Sequence, residues 1–117
     1  MGNMENIERR LENIEFFIEE FIKAFDDQNL NVSLLGIKKG IDKETILSIK
    51  RLCESLNNDF KKQKAEGLVI FDPLLDKLKE QLPVNLQANE IIEACVNEGL
   101  ATQVMYEFKR MQRKKKN

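Results

Sequence analysis

The chain contains no histidine. With it goes the commonest metal ligand and the usual general base at neutral pH. The five glycines, Gly2, Gly36, Gly40, Gly67 and Gly99, are too scattered to cradle a phosphate and read as helix ends instead. No Gly-x-Ser-x-Gly turn occurs, so Ser33, Ser48, Ser55, Cys53 and Cys95 have nothing to activate them as nucleophiles. There are only two prolines, and valine is scarce beside Leu, Ile and Phe, which favours helix over sheet. No apolar run approaches the roughly twenty residues that a bilayer span needs. The first residues show no basic stretch followed by an apolar core, so no signal peptide is expected. The two cysteines, Cys53 and Cys95, each sit in an apolar helical pattern. They are expected to be reduced and buried in a cytoplasmic protein.

What is present is a soluble globular balance: 117 residues, 42% hydrophobic and 33% charged. That length makes one domain with a modest core. The net charge is −1, but it is unevenly spread. Residues 109–117 carry six bases and no acid; the remaining thirteen bases face twenty acids, so residues 1–108 hold −7. An acidic body with a basic tail is poorly suited to gripping nucleic acid over a broad face.

The most informative stretch is Met4 to Phe25. Its apolar residues fall at Met4, Ile7, Leu11, Ile14, Ile18, Phe21 and Phe25, alternating steps of three and four. That spacing makes the seam of a helix that lies along another helix. Phe16, Phe17 and Ile22 add apolar bulk off the seam. Left uncovered, this surface exceeds what monomers tolerate, so Ile7, Leu11, Ile14, Phe17, Ile18, Phe21 and Phe25 are the expected interface of a homo-oligomer.

Further along, a short helix is predicted from Asn31 or Val32 to Lys39, closed by Gly40. A long one follows, capped by Asp42 and striped by Ile46, Ile49, Cys53, Leu56 and Phe60, running to Glu66. Leu68 to Phe71 reads as an extended, buried connector, since no second strand offers to pair with it. Asp72-Pro73 starts a fourth helix and Pro83 stops it. A fifth runs from about Gln87 to Gly99, and a sixth from about Leu100 through Met111. The expected fold is all-α: a bundle of five or six helices, two of them long (Glu5–Phe25 and Asp42–Glu66), forming an intertwined homo-oligomer. The domain spans 1–111, and 112–117 is expected to be a basic, disordered tail.

Four stretches resemble the YhaI family, a set of small uncharacterised proteins from Bacillus and its relatives. They are Ile7-Glu8-Arg9-Arg10-Leu11-Glu12, Lys39-Gly40-Ile41-Asp42-Lys43-Glu44, the block Gln63 to Asp72, and Glu98-Gly99-Leu100. The resemblance implies an all-α multihelical fold and a homo-oligomer. It implies no activity, and it does not extend to the basic segment after Met111.

Two other readings compete. Leu35 to Ile49 is similar to a helix-turn-helix, with a small residue on the first helix and a glycine at the turn. Against it, Asp42 and Glu44 would meet phosphates, and the second helix is about twice the usual length. Glu15, Glu19 and Glu20 on one helix, and Glu90, Glu93 and Glu98 on another, could hold a metal or move protons. They fall on polar helix sides, where a solvated face is the simpler explanation. The chain is therefore read as a non-catalytic cytosolic interaction or regulatory protein. No cofactor, metal or membrane is expected; its partner is itself, with room for an unidentified protein partner, and nucleic acid is the disfavoured alternative.

Overall fold

The structure is a computed structural model, which describes residues 2–25 and 29–115. They form six α-helices: α1 (Gly2–Lys23), α2 (Val32–Lys39), α3 (Lys43–Ala65), α4 (Asp72–Gln81), α5 (Ala88–Glu98) and α6 (Thr102–Lys115). No strand occurs among the described residues. The all-α bundle expected from periodicity is the fold observed.

Helix α3, 23 residues and about 34 Å long, is the spine. Its stripe Ile46, Ile49, Cys53, Leu56 and Phe60 is buried as the spacing predicts. Helices α2, α4 and α6 pack on it, and α5 closes the other side against α2 and α6. Val32, Leu75, Leu78, Ile91, Ile92, Val104, Met105 and Phe108 complete the core with almost no solvent contact. Helix α2 approaches α3 so closely that a β-carbon on Gly36 would lie 2.3 Å from Ile46 Cδ1.

Helix ends leave backbone N–H groups without partners, and here the chain supplies them locally and from afar. Asn31 Oδ1 accepts from the Leu34 N–H at 2.8 Å, and Gly40 closes α2 in the left-handed conformation at φ 70°. Asp42 caps α3 by accepting from the Thr45 N–H at 2.8 Å. Thr45 hydrogen bonds, side chain first and then backbone, hold the Asp42 carboxyl below its ordinary range. The Val32 N–H, at the start of α2, donates to Glu98 Oε1 at 3.0 Å, and Lys50 Nζ lies 3.3 Å from the other oxygen. The Val104 N–H, in the first turn of α6, donates to Asn57 Oδ1 at 3.0 Å.

Three boundaries and one connector differ from expectation. Helix α1 spans Gly2–Lys23 rather than Glu5–Phe25: Ala24 and Phe25 already turn, while Asp26 and Asp27, acids expected to end the helix because they oppose its dipole, lie outside the described residues. Leu68, Val69 and Ile70 are exposed, not buried. Only Phe71 of that run reaches the core, edge-on to Phe60 with ring centroids 4.7 Å apart. Gly67, at φ 93°, turns the chain after α3, and no helix lies over the three residues that follow. Phe71 rather than Asp72 takes the cap position of α4, and its side chain makes no cap bond. Finally, α6 runs to Lys115 instead of dissolving at Met111. Gln, Arg and Lys are good helix formers, and cations at a C-terminus suit the helix dipole. Lys116 and Asn117 lie outside the described residues.

The tight α2–α3 contact gives a direct test. Gly36→Ala should destabilise the fold by about 1–2 kcal/mol in urea unfolding, because the collision outweighs the gain in helix propensity. Adding Ile46→Val, which removes the colliding Cδ1, should recover part of the loss.

Candidate functional site

Apart from Ile22, every side chain described on α1 is exposed. None belongs to the core cluster, whose first member is Leu30. The helix meets the body at its last turn, against α2, and projects from there. The molecule is accordingly elongated, 66 × 26 × 23 Å, with a radius of gyration of 17.6 Å against about 13 Å for a compact chain of this size.

The expected interface residues Ile7, Leu11, Ile14, Phe17, Ile18, Phe21 and Phe25 are therefore brought together on one rod in solvent. Phe17 is 66% exposed and Phe21 58%; Phe25 and Ile18 are the most sheltered, at 36% and 37%. Taking Met4, Leu11, Ile18 and Phe25 as heptad position a, Ile7, Ile14 and Phe21 fall at d. Phe17 falls at g and Ile22 at e, so the apolar sector widens to roughly 150° towards the body. Phe16 stands behind the seam and meets Phe17 edge-on, with centroids 5.3 Å apart. A compact chain of 13.7 kDa exposes roughly 6,600 Å². This one exposes 8292 Å², about 1,700 Å² more. Half that excess per copy is the size of a standard interface.

Where α1 joins the body, Glu19, Ile22, Lys23, Phe25, Ile37 and Lys38 line a crevice of about 490 Å³. Its floor is apolar, with Ile37 of α2 half exposed. Sequence periodicity alone did not place Ile37 at this surface, because α2 is too short to show which of its faces turns outward.

The other candidates resolve into structure. Glu90 lies 2.9 Å from Lys39, Glu93 3.1 Å from Lys109, and Glu98 binds Lys50 and the α2 N-terminus as described. Burial pushes Glu90 upward, but the Gln87 N–H and Lys39 together hold it below its ordinary value. Glu20 pairs with Lys23 at 3.4 Å; Glu15 and Glu19 stand on the exposed rod. Among the described residues no group of three or more His, Cys, Asp or Glu is arranged to hold a metal. Nor is any helix long and apolar enough to cross a membrane.

Cys53 on α3 and Cys95 on α5 are fully buried, with their sulfurs 3.7 Å apart. The shared hydrogen bond with Cys53, reinforced by burial, pushes the Cys95 thiol far up. Helices α2 and α3 are consecutive, in contact and joined by the short turn at residues 40–42. However, the outward face of α3 alternates Lys43, Glu44, Arg51 and Glu54, which offers phosphates no continuous positive surface. In the basic segment, Lys109 and Arg110 pair with Glu93 and Glu107 of the same chain.

The architecture is that of a small helical bundle carrying one projecting, apolar-striped helix. The chain belongs to the DUF1878 family of proteins of unknown function, whose model matches residues 4–113. The projecting helix lies almost wholly inside that match, so it is part of the family domain rather than an appendage to it.

Thiol chemistry checks the cysteine pair. A thiol-reactive dye should label neither Cys53 nor Cys95 in the folded protein and both in guanidinium chloride, since the protonated, enclosed thiols offer no nucleophile.

Proposed function

We propose that this is a non-catalytic cytosolic interaction or regulatory protein that works as a homo-oligomer, assembled through α1. The observation that carries the reading is a 22-residue helix with six seam positions in solvent and, apart from Ile22 at its junction with α2, no buried side chain among those described. An isolated helix of that kind is marginal in water, so a contact on its apolar face stabilises both the helix and the assembly. The likeness to the YhaI family points the same way. Catalysis finds little support in a chain without histidine whose cysteines are enclosed and whose acids on α5, Glu90, Glu93 and Glu98, are ion-paired. The α2–α3 unit gives nucleic-acid binding as a second reading, and its close Gly36–Ile46 contact is the feature in its favour. The mixed charge on α3 places it second.

Light scattering at micromolar concentration should give a multiple of 13.7 kDa. The pair Ile14→Asp and Phe21→Asp should reduce that to one chain and fray α1, lowering far-ultraviolet helicity while the urea midpoint of the body stays put. Wild-type protein that scatters as a single chain would overturn the proposal. Tight duplex binding that weakens steeply with salt would promote the second reading.

A further inference from the structure

The charges beside the seam say how copies meet. We infer that the α1 helices of neighbouring copies lie parallel and in register, with Phe17 of one copy seated in the crevice beside Ile22 and Ile37 of the next. This rests on the proposed self-association and adds its direction and contacts.

In a parallel bundle, position g of one helix flanks position e of its neighbour five residues further on. Arg10 at g then meets Glu15 at e of the next copy. Phe17 at g faces the e flank at Ile22, which its own chain's α2 already covers, so the apolar surface it meets there is Ile37 in the crevice. Reversing one helix destroys both matches. With Leu11 opposite Ile14 in an antiparallel pair, e flanks e and g flanks g. Glu8 then faces Glu15, a like-charge contact, and Arg10 faces Phe17. Opposite charges across a seam set orientation, and like charges exclude the alternative.

The body's position agrees. Ile22 is buried against its own chain's α2, so each body sits on the e flank of its own α1. Rotational symmetry about a parallel bundle then places the bodies on successive flanks, outside the seam. The same geometry brings each crevice against the g flank of the next helix, where Phe17 projects. Phe17 is 66% exposed and Ile37 50%, so each covers what the other leaves open. Arg10 and Glu15 are both exposed on α1 and free to reach across.

Cross-linking reads the direction. The native cysteines are enclosed and serve as silent background. Met4→Cys protein treated with a short bismaleimide should link to itself efficiently. An equimolar mixture of Met4→Cys and Phe21→Cys chains should give 4–4 and 21–21 products and no 4–21 product. Charge exchange supplies a second readout: Arg10→Glu should weaken association roughly two- to fivefold, and Arg10→Glu with Glu15→Arg should restore it. A multi-chain mass with dominant 4–21 products would overturn the parallel arrangement while leaving self-association standing. A single-chain mass with no cross-links would remove the underlying reading as well. Phe17→Ser that leaves the mass distribution unchanged at every concentration would remove the crevice contact.

Discussion

Apolar surface in water must be covered by something, and in this chain α2 to α6 cover one another. Helices α2, α4 and α6 pack on α3, whose stripe is buried, while α5 packs on α2 and α6. Leu56, Ile91, Val104 and Phe108 are sealed with no face left over. No α1 side chain joins that core cluster, and the first helix projects from it. The excess surface and the elongated shape go with that projection.

The polar contacts serve the same closure. Short loops bring helix ends into the interior, where an unpartnered N–H is costly. Glu98 and Asn57 each reach across the bundle to satisfy one. The carboxylates that a sequence reader would test for metal or proton chemistry are in fact fasteners between helices: Glu90 ties α5 to α2, Glu93 ties α5 to α6, and Glu98 ties α5 to both α2 and α3.

Much of this was legible beforehand. Local signals worked where chemistry is local: Asn31, Gly40, Asp42 and Gly99 end or begin helices as their side chains and backbone freedom dictate. The seam of α1 was legible because its alternation of three and four is unbroken. What failed was information that lives between distant segments. Leu68 to Ile70 carry no period, so their burial depends on whether another element happens to cross them, and none does. The end of α6 was missed because apolar periodicity stops at Met111 while helix propensity continues. The roles of Glu98 and Asn57 span 66 and 47 residues and leave no trace in any short window. For the candidate interface, the sequence named the residues, whereas the crevice at Ile37 needed the angle between α1 and α2.

Since no α1 side chain enters the core cluster, the two halves of the molecule answer to separate physical demands. Apart from Ile22, buried at the junction with α2, the rod's described side chains lie in solvent, and the core side chains lie away from the rod's stripe. Because the apolar stripe and the core sit on separate segments, a change on one need not disturb the packing of the other.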